Sequence, residues 1–100
     1  MTPASDAEVP GWAAALGIPG LYDVHVHFMP APVMDRVWEH FEAEGPLIGR
    51  PWPITYKGTD EERVERLRAL GVRRFSALPY AHRPGIADFL NDWARSFAAQ

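Results

Sequence analysis

Apolar residues recur with a helical period in three parts of the chain. Between residues 32 and 44 they fall at every third or fourth position, with charged residues between them, which predicts an amphipathic helix. Residues 59–62, Thr-Asp-Glu-Glu, form a capping box that predicts the start of a second helix. Gly71 supplies the end of that helix. A third helical pattern runs to the end of the sequence, with its apolar positions at Ile86, Phe89, Leu90, Trp93 and Phe97.

Two further segments have the length and boundaries of β-strands. Residues 21–28 follow a Pro-Gly pair, and residues 72–78 are followed by a proline. Strands separated by helices predict βαβ units with a parallel sheet, and therefore an α/β fold. The connection at residues 45–58 predicts a long loop with a short extended piece at residues 54–56. This loop is either functional or a packed connector anchored by Trp52.

Three polar side chains that can bind metal ions alternate with apolar residues in the first predicted strand. Asp23, His25 and His27 occupy every second position, so a strand places them on one face. A buried face needs a partner for each of these polar groups. The opposite face, which we expect helices to cover, consists of Tyr22, Val24, Val26 and Phe28.

Two histidines at this spacing can reach one metal ion. Alternate Cα atoms of a strand are roughly 6.5–7 Å apart, and a zinc–nitrogen bond is about 2.0–2.1 Å long. The side-chain tips can converge where the strand ends, and α/β folds place their ligands at the carboxyl ends of strands. Spacing alone leaves a second interpretation open, in which the histidines are hydrogen-bonded core residues.

The amino-acid composition limits which residues can bind a metal ion and which partners we expect. The chain has 100 residues, of which 47% are apolar, and this suits one small globular domain. It has no cysteine, so only His, Asp and Glu can hold a metal ion. The net charge of −3 comes without a basic stripe, so we expect no nucleic-acid partner. The N-terminus has no signal-peptide pattern, and no apolar run is long enough to cross a membrane, so we expect a cytoplasmic protein without a membrane partner.

The run Asp23-x-His25-x-His27, preceded by Pro-Gly-Leu at residues 19–21, resembles the first-strand signature of the amidohydrolase superfamily. The continuation Phe-Met-Pro at residues 28–30 resembles the amidohydrolase-2 branch, which contains metal-dependent hydrolases and aminocarboxymuconate-semialdehyde-decarboxylase-like enzymes. Three later stretches are similar to the same branch: residues 45–54, 66–85 and 90–94.

This resemblance implies the N-terminal part of a (β/α)8 TIM barrel, with residues 1–20 as an extension and residues 21–100 as the first βα units. It implies a divalent metal ion, with zinc expected, held by His25 and His27, while Asp23 orients a histidine from behind. The family's catalytic aspartate belongs to a later strand. The implied reactions are hydrolysis of a C–N or ester bond, or non-oxidative decarboxylation, of a small-molecule substrate, by a metal-activated water or a metal-polarised substrate.

A complete barrel takes about 250 residues, so 100 residues cannot close one. The helical pattern of residues 93–100 has no stop signal, which predicts a chain truncated at its C-terminus. Alone it is expected to be inactive, and its unpaired sheet edges favour a homo-oligomer among other outcomes. The loop after the second strand predicts a pocket lined by Tyr80, His82 and Arg83. His40, in the first long helix, is interpreted as a surface or packing residue.

Two other functions remain open from the sequence. Nucleases of the TatD type and phosphoesterases of the PHP type begin with similar runs, so a phosphoester substrate is an alternative among metallohydrolases. A catalytically silent fragment, or a small α/β binding module with structural histidines, is an alternative from another class. Stoichiometric zinc in the purified chain favours a metal site over the silent alternative.

Overall fold

The structure is a computed structural model that describes residues 2–51 and 54–100. Two units can be distinguished, one comprising Met1–Val26 and Gly58–Ser76 and the other His27–Lys57 and Ala77–Gln100. The order of the elements confirms an α/β chain. The elements are a 3₁₀ helix at Asp6–Glu8, α1 at Val9–Ala15, β1 at Leu21–Asp23, α2 at Ala31–Ala43, α3 at Gly45–Ile48, α4 at Asp60–Ala69, β2 at Val72–Phe75 and α5 at Ala87–Ala98.

The first unit contains a parallel sheet, formed in the described residues by β1 and β2. This confirms the predicted parallel pairing of strands that are separated by helices in the sequence. The Leu21 N–H donates to the Gly71 carbonyl oxygen at 3.0 Å and opens the ladder. An irregularity between Leu21 and Tyr22 leaves one extra residue on β2. The paired residues are Leu21 with Val72, Tyr22 with Arg74, and Asp23 with Phe75.

The strand predicted over residues 21–28 is shorter in the structure, because β1 ends at Asp23. The Asp23 Oδ1 accepts a hydrogen bond from the His25 N–H at 3.0 Å, a local contact that competes with strand structure. The Val26 N–H then donates to the Ser76 Oγ at 3.1 Å, a side-chain oxygen in place of a strand carbonyl. Strand alternation therefore does not extend to the histidines.

The apolar face of that predicted strand is covered only toward its end. Tyr22 is 69% exposed and Val24 is 81% exposed, whereas Phe28 is fully buried. The guanidinium of Arg74 lies 5.9 Å from the centre of the Tyr22 ring. The expectation that helices cover the whole face was therefore wrong for Tyr22 and Val24.

The predicted capping box forms at the start of α4. The Thr59 Oγ1 accepts from the Glu62 N–H, and the Glu62 Oε1 accepts from the Thr59 N–H, each at 3.2 Å. Three acidic residues occupy the first turn, where their negative charges interact favourably with the positive end of the helix dipole. Gly71, just after the helix, has a φ of +86°, a conformation that glycine adopts without strain. The helix packs against β2 and so supports the sheet.

Thr59→Ala is expected to lower the free energy of unfolding by about 1 kcal/mol, because it removes one side of this box. Urea denaturation followed by far-UV circular dichroism measures the loss. Thr55→Ala is the matched control, since Thr55 is exposed and lies outside the helices and strands. Equal denaturation midpoints for the two variants would contradict the capping role.

The second unit is built on the amphipathic helices α2 and α5, both predicted from their apolar period. The apolar positions predicted on α2 are buried or half-buried, while its charged positions are exposed, as predicted. Phe97 of α5 stacks on Phe28 at 4.7 Å and on Trp93 at 5.0 Å between ring centres. One cluster of buried residues consists of Met29, Met34, Ile86 and Leu90, with Val33, Val37 and Trp38 packed against it.

The predicted loop at residues 45–58 contains a short helix that the sequence did not predict. Gly45–Ile48 forms α3, because Pro46 is tolerated in the first turn of a helix, where its missing N–H has no intrahelical partner. Residues 54–56, predicted as a short extended piece, belong to no helix or strand. Trp52, the predicted anchor, lies outside the described residues.

Candidate metal centre

Asp23 and His25 lie at the carboxyl end of β1, in the first unit. The Asp23 carbonyl oxygen accepts from the Ser76 N–H at 3.0 Å, which fixes the end of the strand on the segment after β2. The half-buried Asp23 carboxylate accepts from the His25 backbone N–H, and His25 itself is exposed. Asp23 thus holds the backbone of His25, and its expected role in orienting a histidine ring stays a prediction.

His27 lies in the second unit, where it is half-buried. Its Nδ1 is 2.8 Å from the carbonyl oxygen of Leu78. A carbonyl oxygen only accepts hydrogen bonds, so Nδ1 is the donor in this contact. Histidines that bind metals commonly hold this arrangement, with one ring nitrogen donating to a carbonyl and the other available as the ligand.

Tyr80 is the residue of the predicted pocket that contacts His27. The two rings meet edge to face, with 5.2 Å between their centres and an angle of 88° between their planes. Desolvation by burial raises the pKa of the Tyr80 hydroxyl above its usual value near 10, so the side chain is a neutral phenol at pH 7. The other two predicted pocket residues, His82 and Arg83, are exposed in the same loop.

His40, which the sequence indicates to be a surface or packing residue, lies on the surface. It is exposed on α2, with its Nε2 3.2 Å from the Glu44 Oε1 and its ring edge to face with Phe41. These contacts are local, within one turn of the helix. His40 and the exposed His82 are therefore suitable control histidines for experiments on His25 and His27.

Sequence reasoning missed the Leu78 carbonyl as a partner of His27. The sequence predicts a strand over residues 72–78, whose carbonyls would then bond to a neighbouring strand, but β2 ends at Phe75. The available signal was Pro79, which has no N–H and restricts Leu78 to an extended conformation. A carbonyl just before a proline at the end of a strand can be directed at a side chain.

The number of available ligands determines which kind of metal site a chain can form. Among residues 2–51 and 54–100, no group of three or more His, Asp or Glu side chains lies close enough to hold a metal ion. Catalytic zinc sites use three protein ligands and structural sites use four.

Comparisons of the chain with protein-family models, with curated proteins and with solved structures found no match. The resemblance of residues 23–30 to the amidohydrolase signature thus stays a prediction. No helix in the part of the chain that the structure describes is long and apolar enough to span a membrane.

Proposed function

We propose that the chain forms the first βα units of a metal-dependent, amidohydrolase-like (β/α)8 enzyme that acts on a small-molecule substrate. The observation that carries this proposal is the hydrogen bond between the His27 Nδ1 and the Leu78 carbonyl oxygen. It holds the imidazole of a histidine that follows a parallel strand in the sequence. Sites of (β/α)8 enzymes lie at this end of their strands.

The residues present fit a divalent cation in their donor chemistry. His25 and His27 would hold it through neutral imidazole nitrogens, which zinc favours. When bound, such a cation supplies Lewis-acid chemistry, which acidifies water and polarises a substrate carbonyl. The chain contributes positioning, because the Leu78 carbonyl contacts the His27 ring and the Asp23 carboxylate holds the backbone of His25.

Hydrolysis of a C–N or ester bond and non-oxidative decarboxylation are the reactions proposed, since both act on a substrate with a carbonyl or carboxylate group. Tyr80, a neutral phenol beside His27, can donate a hydrogen bond to such an oxygen. His25 and His27 would bind the cation, and the Tyr80 phenol would orient the substrate oxygen. The choice between the two reactions depends on residues from other strands.

Zinc titration of the metal-free chain tests the proposal. We expect one zinc ion per chain, or one shared by two chains, by elemental analysis after gel filtration. In NMR spectra the imidazole signals of His25 and His27 should shift, while those of His40 and His82 stay in place. Zinc that shifts the control histidines instead, or no bound zinc, would support the silent alternative and contradict the enzyme proposal.

A further inference from the structure

We propose that Asp23 and Ser76 form a conformational clamp, which ends β1 and holds residues 23–26 in a turn against a competing, longer parallel strand. The clamp lies entirely within the first unit. It is independent of the proposed function, since no metal ion takes part in it. The proposal goes beyond the observed end of β1, because it names the side chains whose removal lets the strand extend.

Both the backbone and the side chain of Ser76 contact the segment at the end of β1. The Ser76 N–H donates to the Asp23 carbonyl oxygen at 3.0 Å, and the Ser76 Oγ accepts from the Val26 N–H at 3.1 Å. Between these two points the Asp23 Oδ1 accepts from the His25 N–H at 3.0 Å. One half-buried serine therefore holds both ends of the turn, and the aspartate side chain closes its middle.

The partner of the Val26 N–H shows that the chain has left the strand direction. In a parallel ladder, every second residue of a strand bonds to a given neighbour. Asp23 bonds to Ser76, directly after β2, so a continued strand would next direct the N–H of His25 toward this neighbour and that of Val26 away from it. In the structure the Val26 N–H donates to the Ser76 hydroxyl instead.

The competing state is the longer strand that the sequence predicts. Apolar and polar residues alternate through residues 21–28, and Val24 and Val26 are β-branched residues, which suit strands. Continued pairing in the same register would give the His25 N–H the Ser76 carbonyl oxygen as its acceptor. The N–H of His25 is satisfied in either state, so the hydrogen bonds of the Asp23 and Ser76 side chains select the turn.

Amide hydrogen exchange of the ¹⁵N-labelled chain tests the role of the Ser76 hydroxyl. In Ser76→Ala the Val26 amide should exchange about 2- to 10-fold faster than in wild type, the range expected from the loss of one hydrogen bond. Ser76→Thr keeps a hydroxyl and should retain the protection. The matched control is Ser96→Ala, which removes a hydroxyl that donates to the Asp92 carbonyl oxygen in α5 and should leave Val26 unchanged. Equal Val26 exchange in Ser76→Ala and wild type overturns the clamp.

The double variant Asp23→Ala/Ser76→Ala tests the competing state. The backbone ¹³C chemical shifts of residues 24–26 should move to strand values. A scalar coupling across the new hydrogen bond should join the His25 nitrogen to the carbonyl carbon of residue 76. The control Asp92→Ala/Ser96→Ala removes the same two residue types from exposed positions of α5 and should leave these signals as in wild type. Wild-type shifts at residues 24–26 in the folded Asp23→Ala/Ser76→Ala chain overturn the inference.

Measurements on wild type keep the inference testable if the variants do not fold. The clamp predicts that the Val26 amide is protected from exchange, although Val26 lies outside β1, and that residues 24–26 do not have the ¹³C shifts of a strand. Both results together support the clamp. A Val26 amide that exchanges as in an unstructured peptide, or strand shifts throughout residues 24–26, overturns it without any variant.

Discussion

The double substitution His25→Ala/His27→Ala is expected to lower zinc affinity by more than about 100-fold, since losing a mere partner of a ligand costs 10- to 100-fold. It removes both imidazoles of the proposed site, and the cysteine-free chain has no thiolate to replace them. Isothermal titration calorimetry, with a chelator competition for tight binding, measures the change. Each single variant should lie between wild type and the double variant.

The matched control for this prediction is His40→Ala/His82→Ala. It removes the same number of histidines, both of them exposed, and should keep the zinc affinity of wild type. Similar losses in the two double variants would mean that zinc binds to surface histidines in general. Undiminished binding by His25→Ala/His27→Ala would refute the metal-site assignment.

His25→Ala alone should leave folding almost unchanged, because His25 is exposed and such substitutions usually shift the free energy of unfolding by less than about 0.5 kcal/mol. His27→Ala also removes the hydrogen bond to Leu78. Comparing the two variants by urea denaturation therefore separates loss of a ligand from loss of structure.

The helices could be predicted from the sequence because their signals are local. The apolar period of α2 places Met34 in the core, and that of α5 places Leu90 there, since the side of a helix that packs is set by spacing alone. The capping box of Thr59 and Glu62 is likewise encoded within four residues. Phe89 shows the limit, because the same apolar pattern included it and yet it is 55% exposed.

The strand lengths could not be predicted from apolar alternation. At Asp23 a side-chain oxygen takes the next available N–H, and at Val26 the Ser76 hydroxyl takes another. Each of these hydrogen bonds satisfies a backbone N–H as well as a bond to a neighbouring strand would. Polar side chains at the end of a short strand can therefore determine the residue at which the strand ends. The alternation of apolar and polar residues indicates which side chains a strand would bury, but it does not indicate which side chains compete for the backbone N–H groups.

The candidate site could be predicted only in its local part. The spacing of His25 and His27 is visible in the sequence, but the partner of His27 lies 51 positions away. That contact depends on the path of the chain after β2. The register irregularity between β1 and β2 is likewise not visible in the sequence of either strand alone. The barrel itself stays a prediction, since two parallel strands are common to many α/β folds.

Phe28→Ala is expected to lower the free energy of unfolding by about 3–5 kcal/mol, the cost of deleting a buried aromatic side chain. Phe28 is fully buried and stacks on Phe97, so the variant loses both the transfer of its ring from water and the packing around it. Domains are stable by only about 5–15 kcal/mol, so this loss is a large share of the total. Guanidinium denaturation followed by tryptophan fluorescence and by circular dichroism measures it.

Phe89→Ala is the control for Phe28→Ala, because Phe89 is the same residue type but is 55% exposed on α5. Its expected loss is below about 1 kcal/mol, and an equal loss at the two positions would mean that Phe28 is not a core residue. Phe28→Leu keeps most of the buried volume and should retain a folded chain. If the proposed site depends on a fixed backbone at His27, zinc affinity in Phe28→Leu should fall while the affinity of Phe89→Ala stays at the wild-type value. Stability and zinc affinity would then depend on neighbouring residues, because the buried Phe28 directly follows the proposed ligand His27.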